Sequence, residues 1–553
     1  MEKTCTKCNS QFFVDQDDQA FYGKMGVPVP NVCPDCRFMM RALFRNEMTL
    51  YSGRKCALCD KGVISMYNPK SPYTIYCYDC FYSEKWDPKS FAMDYDESRS
   101  FLDQMQEFLV KVPKINLGIS TGDGINVNTE YANMASGCKN CYLVFNTSPA
   151  DELLYSRGVK NGTFSSDIYF GVNFENCYDS INVQESAGVS WGQNVSGCVD
   201  SSLLFNTSGL TNCFGCVNLR NQSGYWFNEK LSSDEYSKRI KEIKGSYIKT
   251  EENKKKFYEF SKTLPRRANN NLKTLNSTGD YLTECKNVRD SFEVAHGEDC
   301  HYIFSSKFIK DSLGTTGYGT KSEKLLEVVA TGYSSNVIGS YWAEHSSNIL
   351  YGFYIANCQD CIGCDALKHG KYAIFNKEYS KEEYERLREI IIKELKEKDL
   401  YGLMMPPELA PFAYNETIGQ DNMPLTKEEV LARGFRWEDD VQMTTGKETL
   451  LPENIPDHIK DVSDGITKEI LKCVECERNY KITPQELLFY KKMVLSIPRK
   501  CFYCRHRDRI VRRGSFKFFD RKCSHCGKDT HTNLTTEVAP IMYCEQCYQQ
   551  EVI

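Results

Sequence analysis

Histidine and long apolar segments are both scarce in this chain of 553 residues. There are eight histidines, none of them before His296, and no apolar run is long enough to cross a bilayer. The patterns of a nucleophile elbow, a phosphate-binding loop, a zinc-protease helix and a dinucleotide fold are absent from any supporting context. The sequence therefore favours a protein that is not an enzyme and has no membrane partner.

Cysteine, in contrast, is abundant, with 27 residues. The first residues, "MEKTCTKCNSQFF", lack the basic and apolar segments of a secretion signal, so we expect a cytoplasmic protein. Disulfides are not the default use of cysteine in that reducing compartment. Metal binding or packing must then account for the cysteines.

Sixteen cysteines fall into four quartets, each made of two CxxC pairs. The gap between the two pairs has the same length in quartets A1 and A2, and a shorter length that is shared by B1 and B2. The quartets are A1 (Cys5, Cys8, Cys33, Cys36), B1 (Cys56, Cys59, Cys77, Cys80), A2 (Cys473, Cys476, Cys501, Cys504) and B2 (Cys523, Cys526, Cys544, Cys547). Two CxxC turns complete a tetrahedral four-thiolate shell around zinc, so we predict about four zinc ions per chain. Disulfides, redox pairs and iron in the same shell are the alternatives.

The two ends are also alike between the cysteines. "FYGKMGVPVPNVCPDCR" from Phe21 aligns without a gap on "FYKKMVLSIPRKCFYCR" from Phe489. This pattern resembles the zinc-ribbon or treble-clef domain family. With "APFAYNET" from Ala410, the whole arrangement resembles a large uncharacterised family of multi-zinc-ribbon proteins. The resemblance implies a metal-binding fold and no particular activity.

A dense basic run lies near the C-terminus, and it has two interpretations. A zinc ion with four thiolates carries a net charge of about −2, so arginines directly after a CxxC pair, Arg37 and Arg505, can compensate the sites. The C-terminal surplus exceeds that need. The alternative function is therefore nucleic-acid binding through Arg507, Arg509, Arg512, Arg513 and Lys517.

The central region is a tandem repeat, because "NCFGC" at Asn212 returns as "DCIGC" at Asp360. Short β-prone pieces recur about every 12 residues, and we expect every second piece to stack after roughly 21 to 26 residues. This spacing predicts a parallel β-solenoid, with Cys141, Cys177, Cys198, Cys213, Cys285 and Cys300 as packing residues. The triple Cys358, Cys361 and Cys364 leaves an iron-sulfur cluster as an alternative.

Helices with capping boxes are predicted after each unit, from Ser232 and from Ser380, and another from Thr426. The second has Tyr384, Leu387, Ile391 and Leu395 on one face, as expected of a helix that caps the end of a solenoid.

The predicted fold is mostly β: a central two-unit parallel β-solenoid with capping helices, flanked by tandem zinc ribbons at both termini. The predicted segments are zinc ribbons at 1–50 and 51–98, a helical linker at 99–120, solenoid units at 121–275 and 276–400, a strap rich in proline and aromatic residues at 401–466, and zinc ribbons at 467–510 and 511–553. We expect a non-enzymatic zinc-stabilised scaffold whose partner is an unidentified macromolecule, with a protein favoured over a nucleic acid. A solenoid enzyme or an iron-sulfur redox protein is the third interpretation.

Overall fold

The structure is a computed structural model that describes residues 1–119, 124–441 and 444–552. The predicted boundary between the linker and the first unit, at 120/121, lies outside the described residues. The N-terminal elements are β1 (Glu2–Thr4), β2 (Gln11–Phe13), α1 (Gln16–Met25), α2 (Pro34–Ala42), β3 (Tyr51–Lys55), β4 (Gly62–Ser65), β5 (Ile75–Tyr76), α3 (Tyr78–Phe81), α4 (Phe101–Lys111) and β6 (Lys114–Ile115), with a 3₁₀ turn at Pro88–Phe91.

A first large sheet of parallel strands follows, and two helices close its end. Its region comprises β7 (Ala132–Asn133), β8 (Cys138–Lys139), β9 (Tyr142–Phe145), β10 (Ala150–Glu175), β11 (Tyr178–Gln184), β12 (Ser190–Ser196), β13 (Ser202–Ser208), β14 (Tyr225–Trp226), β15 (Glu229–Lys230), α5 (Ser233–Ile243), α6 (Tyr247–Lys262) and β16 (Arg266–Arg267). Only the β14–β15 hairpin in this region is antiparallel among the described strands.

A second and larger parallel sheet ends in a long helix. It comprises β17 (Gly279–Thr283), β18 (Lys286–Arg289), β19 (Ser291–Ala295), β20 (Glu298–His301), β21 (Phe304–Lys307), β22 (Ile309–Tyr318), β23 (Ser322–Thr331), β24 (Ser335–Ile338), β25 (Tyr341–Glu344), β26 (Ser347–Leu350), β27 (Phe353–Ala356), β28 (Gln359–Ile362), β29 (Lys371–Ile374) and β30 (Lys377–Glu378), followed by α7 (Lys381–Glu397). Strand residues outnumber helical ones in the described parts of the chain, so a strand-rich fold with large parallel sheets is confirmed.

The C-terminal elements begin with two short helices and then repeat the order of the first eight N-terminal elements. They are α8 (Ile418–Asn422), α9 (Lys427–Ala432), β31 (Leu471–Lys472), β32 (Asn479–Tyr480), α10 (Pro484–Met493), α11 (Phe502–Arg513), β33 (Phe519–Lys522), β34 (Asp529–Thr532), β35 (Met542–Tyr543) and α12 (Glu545–Glu551), with 3₁₀ turns at Pro407–Leu409, Tyr414–Glu416, Pro452–Asn454, Ile459–Asp461 and Asp464–Lys468.

The register of both parallel sheets corrects the expected stacking period. Ile168 lies opposite Ser180, and Ser190 lies opposite Ser202. The same register step joins successive strands of the second sheet, apart from a step that is longer by a single residue between β22 and β23. Consecutive β-prone pieces are therefore neighbours, whereas their spacing in the sequence had suggested that every second piece would stack.

Every third residue in these sheets faces a narrow core. The core of the first sheet runs through Ala132, Ala135, Cys138 and Cys141 and continues in the same phase to Cys213 and Cys216. Many residues that precede a core position have positive φ, among them Asn140, Asn146, Asn173 and Asn182. Asparagine tolerates this left-handed conformation better than most side chains. Because the core is narrow, it accommodates mainly small side chains, which accounts for its cysteine, serine, alanine and valine residues.

The predicted helices begin at the predicted N-caps, but of the three predicted capping boxes only that of Thr426 and Glu429 has both of its hydrogen bonds among the described residues. The side chains of Ser232, Ser380 and Thr426 each accept a hydrogen bond from the backbone N–H three residues later, at the starts of α5, α7 and α9. The buried residues of α7 are the four predicted for its apolar face: Tyr384, Leu387, Ile391 and Leu395. No helix in the described parts of the chain has the length and apolar character needed to span a membrane.

The two ends of the chain cross over on the two sheets. Helix α2, near the N-terminus, packs on β22 and β23 of the second sheet. Helix α11, near the C-terminus, packs on β10 and β11 of the first sheet. The strap packs into the same core as the N-terminal segment, where Met405, Phe412 and Tyr414 are buried with Phe38 and Phe44. Helices α2 and α11, which begin at quartets A1 and A2, are thereby each fixed against the sheet more distant in sequence.

Candidate metal centres

All four cysteine quartets share one local geometry, in which the first CxxC pair follows a short strand and the second begins a helix. Cys33, Cys77, Cys501 and Cys544 are the N-cap residues of α2, α3, α11 and α12, and the last cysteine of each quartet lies in the first turn of the helix. Because the positive end of a helix dipole favours negative charge, this position suits thiolates.

The structure brings together the four sulfur atoms of each predicted quartet, within 4.8 Å of one another. The closest recorded sulfur–sulfur distances are 3.7 Å for Cys8–Cys33, 3.9 Å for Cys59–Cys77, 3.7 Å for Cys476–Cys501 and 3.8 Å for Cys526–Cys544. A tetrahedron of sulfur atoms about 2.3 Å from a central ion has edges of about 3.8 Å. The spacing therefore fits a metal ion bound by four thiolates, and the cysteines are free thiols.

Backbone N–H groups stabilise one thiolate in the same way in every quartet. The N–H of the helix N-cap cysteine donates to the sulfur of the first cysteine: Cys33 to Cys5 at 3.3 Å, Cys77 to Cys56 at 3.2 Å, Cys501 to Cys473 at 3.3 Å and Cys544 to Cys523 at 3.2 Å. Burial alone would raise the pKa of Cys56, but the N–H groups of Cys77, Leu58 and Cys59 outweigh burial and lower that pKa to about 7.

The eleven central cysteines have a different environment. Each is buried, and in the described residues none belongs to a cluster that could hold a metal ion. The thiols of Cys358, Cys361 and Cys364 each donate to a backbone carbonyl two residues earlier, at 3.4, 3.4 and 3.6 Å. Their positions, three residues apart, place all three in the core of the second sheet.

The five basic residues considered for nucleic-acid contact differ in burial. Arg509 and Arg513 are buried, Arg512 is partly buried, and Arg507 and Lys517 are exposed. Arg509 Nη1 donates to Asp167 Oδ1 at 2.9 Å and to Asp179 Oδ1 at 3.2 Å. Arg513 Nη1 donates to Tyr169 Oη at 2.6 Å. Arg509 and Arg513 are therefore not accessible to a nucleic acid in this structure, because they anchor α11 on the first sheet.

These contacts form a C-terminal clamp, which we define as Arg505, Arg509 and Arg512 with Asp167 and Asp179. Arg505 Nε donates to Asp167 Oδ1 at 3.0 Å, and Arg512 Nη2 donates to Asp179 Oδ1 at 2.6 Å. Burial would raise the pKa of Asp179, but Arg512 and Arg509 lower it to about 2. The Asp179 carboxylate is thus held ionised beneath α11.

A matching N-terminal clamp consists of Arg37 and Arg41 with Glu327. Arg37 Nη1 donates to Glu327 Oε1 at 2.9 Å and to Tyr22 Oη at 2.6 Å, and Arg41 pairs with the other oxygen of Glu327. The gapless alignment of the two ends pairs Arg37 with Arg505 and Arg41 with Arg509. The sequence pointed to Arg37 and Arg505 but not to Glu327 or Asp167, since their sequence separation hides the pairing.

A buried network of charges connects the two sheets with the N-terminal segment. Arg157 donates from Nε to Glu47 Oε2 at 2.8 Å and from Nη1 to Glu293 Oε2 at 3.1 Å. Glu47 also accepts from Arg45 Nε at 2.6 Å. Burial opposes ionisation of Glu47, but Arg157 and Arg45 lower its pKa to about 2. Both sheets and the N-terminal segment therefore share one set of buried charges.

A chain of alternating carboxylates and imidazoles links the two ends across the second sheet. His301 Nδ1 lies 2.6 Å from Asp18 Oδ1, and His301 Nε2 lies 2.8 Å from Asp290 Oδ2. His531 bridges Asp290, at 2.9 Å, and Asp520, at 3.0 Å. Sequence reasoning missed this chain, because no motif marks its members.

The same region contains the fifth group of side chains with metal-binding geometry in the described residues: Asp15, Asp18 and His301. Arg289 Nη1 donates to Asp15 Oδ2 at 2.6 Å and Arg289 Nη2 lies 3.6 Å from Asp18 Oδ1. A guanidinium therefore already supplies the positive charge that these carboxylates require.

Comparison with known proteins supplies no family for the chain: no protein-family model and no curated protein matches its sequence.

Proposed function

We propose that this protein is a non-enzymatic, zinc-stabilised scaffold that binds a macromolecular partner, for which we favour a protein. The observation that carries the proposal is the coupling of quartets A1 and A2, through the helices that begin at them, to buried arginine–carboxylate clamps. An arrangement that uses both metal sites and charges to fix segments to one another is suited to holding a shape.

Zinc is the metal we propose, with about four ions per chain. Four thiolates at tetrahedral spacing are typical of structural zinc sites, in which no coordination position remains for a substrate. Arg37 and Arg505 follow the last cysteines of quartets A1 and A2, but their guanidinium groups pair with Glu327 and Asp167. The thiolate charge is instead supported by helix N-termini and backbone N–H groups, and in quartet A2 also by Arg507, whose Nη2 donates to Cys504 Sγ at 3.8 Å.

We further propose that each large sheet is one parallel β-solenoid unit, in which one register step corresponds to one coil. The nearly constant register and the core position at every third residue support this interpretation. Four core residues per coil would leave room mainly for small side chains. Helices α5 and α7, at the C-terminal ends of the units, would cap their last coils.

The partner is proposed to bind where each unit begins. Ile125 is 78% exposed and Val127 is 50% exposed before the first sheet, and Leu272 and Leu275 are 56% and 57% exposed before the second. Apolar side chains exposed in pairs at a sheet edge favour a protein partner. The burial of Arg509 and Arg513 weakens the case for a nucleic acid.

Metal analysis of reduced, purified protein, combined with its absorbance ratio at 260 and 280 nm, tests the scaffold. We expect about four zinc ions per chain and no nucleic acid. Co-purified nucleic acid would favour the alternative function, and iron with visible colour would favour a redox protein.

Affinity capture from the source cells tests the partner site. We expect a stoichiometric protein partner that is lost when Leu272 and Leu275 are both changed to Ser. The matched control is the pair Leu488→Ser and Val511→Ser, which changes exposed apolar residues on α10 and α11. Equal retention by both double variants would contradict the proposed site.

A further inference from the structure

A small cavity of about 100 Å³ lies where α6, α11 and the first sheet meet. Four of its lining residues are cations that come from two segments of the chain: Lys254, Arg499, Lys500 and Arg505. Tyr178, Trp191 and Tyr247 form aromatic walls. The cavity therefore combines a high local density of positive charge with aromatic side chains.

The acidic residues of the cavity wall are already paired. Asp179 accepts from Arg512 at 2.6 Å, and Glu251 accepts from Lys254 at 2.8 Å. Asp508 accepts from Lys500 at 2.9 Å. These ion pairs neutralise the wall carboxylates and leave none for Arg499, whereas Arg505 is paired with Asp167 outside the wall.

Arg499 is the least compensated of these cations. Its residue is only 7% exposed, and its Nη2 donates to the carbonyl oxygens of Ile455, at 2.8 Å, and Pro456, at 3.3 Å. Its Nη1 has no acceptor in the described residues, and no carboxylate of those residues lies within 4.0 Å of the guanidinium. A buried cation without an anionic partner is costly, which indicates that an anion completes the site.

Arg505 provides a second available N–H group on the same cavity. Its Nε donates to Asp167 at 3.0 Å, and its Nη1 donates to the Lys500 carbonyl at 3.1 Å. Its Nη2 is buried without a hydrogen-bond acceptor among the described residues, and the nearest carboxylate oxygen, of Glu486, lies at 3.6 Å. Two buried guanidinium groups with unused donors thus line one small space.

We propose that this cavity binds a phosphate ion. Guanidinium groups bind tetrahedral oxyanions through charge-assisted hydrogen bonds to separate oxygen atoms, whereas chloride offers one acceptor atom and cannot match donors that point from two directions as well. A volume of 100 Å³ holds only a few water-sized groups and excludes a nucleoside. The site lies between α6 and the segment before α11, so the bound ion would fasten the helical end of the first sheet to quartet A2.

Calorimetric titration of the zinc-loaded full chain with inorganic phosphate tests the proposal, in buffer free of phosphate and added zinc and at constant ionic strength. We expect saturable binding of one phosphate per chain, weaker binding of sulfate and no saturable binding of chloride. Adenosine monophosphate should bind at least tenfold more weakly than phosphate, because its nucleoside does not fit. Absence of saturable phosphate binding would overturn the proposal.

Two variants locate the site. Arg499→Met should weaken phosphate binding by at least about tenfold, since a charge-assisted hydrogen bond is lost. The matched control is Arg507→Met on α11, which removes an exposed charge outside the cavity and should leave affinity unchanged. If Arg499 serves only to compensate the thiolates, Arg499→Met will lose zinc, and the parent protein will not bind phosphate.

A third variant keeps the proposal testable if Arg499→Met folds poorly. Thr250 lies on the cavity wall in the first turns of α6. Thr250→Glu should place a carboxylate beside the guanidinium groups, abolish phosphate binding and raise the melting temperature measured without phosphate. Unchanged phosphate affinity in Thr250→Glu would place the anion elsewhere and contradict the assignment.

Discussion

The two ends of the chain have the same motif but place different carboxylates beneath it. In the N-terminal clamp, Glu327 alone pairs with two arginines, Arg37 and Arg41. In the C-terminal clamp, Asp167 and Asp179 pair with three arginines. Both clamps have one more cation than anion, although the C-terminal run is much more basic in sequence. Most of that additional charge is therefore used inside the molecule.

The crossover explains why the surplus lies at the C-terminus. Helix α11 packs on the first sheet, where β10 and β11 supply two carboxylates that are one register step apart, Asp167 and Asp179. Helix α2 packs on the second sheet, where Gly314 takes the place of the first of these carboxylates. In the sequence, the basic run of α11 suggests an external partner. In the structure, many of its charges instead match the carboxylates of the sheet on which the helix packs.

Loss of a quartet cysteine should have the largest effect and should test the crossover directly. Cys36→Ser and Cys504→Ser each remove one proposed zinc ligand at the same position of α2 and α11. We expect each variant to lose about one zinc ion, with a binding energy of roughly 10–16 kcal/mol at stake per site. Hydrogen exchange should then rise in the second sheet for Cys36→Ser and in the first sheet for Cys504→Ser.

Cys300→Ser is the control, because it changes a core cysteine outside the quartets and should leave the zinc content at its parent value. If each quartet variant instead loosens the sheet nearer in sequence, or both loosen the same sheet, the crossover does not carry the stability of the sheets.

Neutralising the clamp carboxylates should have the next largest effect. Glu327→Gln leaves two buried guanidiniums without their anion, and we expect the free energy of unfolding to fall by about 3–5 kcal/mol. Asp167→Asn should cost less, because Asp179 still pairs with Arg509. Chemical denaturation measures both values. The control is Glu298→Gln, which changes an exposed ion-pair partner and should leave the free energy of unfolding unchanged. An equal loss of stability in Glu327→Gln and Asp167→Asn would contradict the idea that the second carboxylate of the C-terminal clamp compensates for the first.

The sequence was sufficient to predict the quartets and helix caps, because both depend on short local patterns. CxxC pairs identify thiolates that a turn brings together, and capping boxes depend on residues three apart. The apolar face of α7 was likewise predictable from helical periodicity. Such signals need no information from distant segments.

The period of the sheets was present in the sequence but was overlooked. From Cys138 to Cys216, all cysteines occur at multiples of three residues, and those from Cys358 to Cys364 share a phase that is shifted by the longer step between β22 and β23. This phase identifies the core positions. This three-residue period does not match the two-residue alternation of an ordinary β-strand. The reason is that a residue in the left-handed conformation interrupts the alternation at every third position.

The clamps and the histidine chain could not be predicted from one sequence. Glu327 lies 290 residues from Arg37, and Asp290 lies 241 residues from His531. Isolated acidic residues at turn positions have no pattern that distinguishes a buried ion-pair partner from an ordinary surface turn. Only the packing of the two ends on the sheets brings these side chains together.

The histidine chain predicts a pH dependence of intermediate size at the point where the two ends meet. Burial alone would lower the pKa of His301, but hydrogen bonds to Asp18 and Asp290 outweigh burial and raise it. Arg289, which lies 3.6 Å from Asp18, weakens this effect without reversing its direction. A raised pKa in the folded state adds stability that is fully present below the unfolded value of about 6.5 and is lost as pH rises through the folded pKa.

His301→Gln should therefore lower the melting temperature more at pH 6 than at pH 9, because the stability that the raised pKa adds is fully present at pH 6 and declines as the pH rises. His345→Gln, at an exposed histidine stacked on Tyr333, is the control and should show no such pH dependence. If the melting temperatures of the parent and of His301→Gln differ by the same amount from pH 6 to pH 9, the His301 imidazole is not charged between Asp18 and Asp290.

The exposed remainder of the C-terminal basic run should have the smallest effect, and it decides whether the two ends differ in function as well as in charge. Arg507 is 58% exposed and lies 3.2 Å from Glu475, and Lys517 is 61% exposed and lies 3.8 Å from Asp35. Because exposed ion pairs contribute little, Arg507→Ala with Lys517→Ala should change the free energy of unfolding by less than about 0.5 kcal/mol and leave the zinc content unchanged. At the position of Arg507, α2 carries the buried Met39, so the N-terminal end offers no equivalent charge.

We expect neither the parent nor the double variant to bind single-stranded or duplex nucleic acid with submicromolar affinity near physiological salt. Salt-dependent binding by the parent, with a slope that becomes shallower in the double variant, would show that the C-terminal end contacts phosphates and that its surplus charge has an external use.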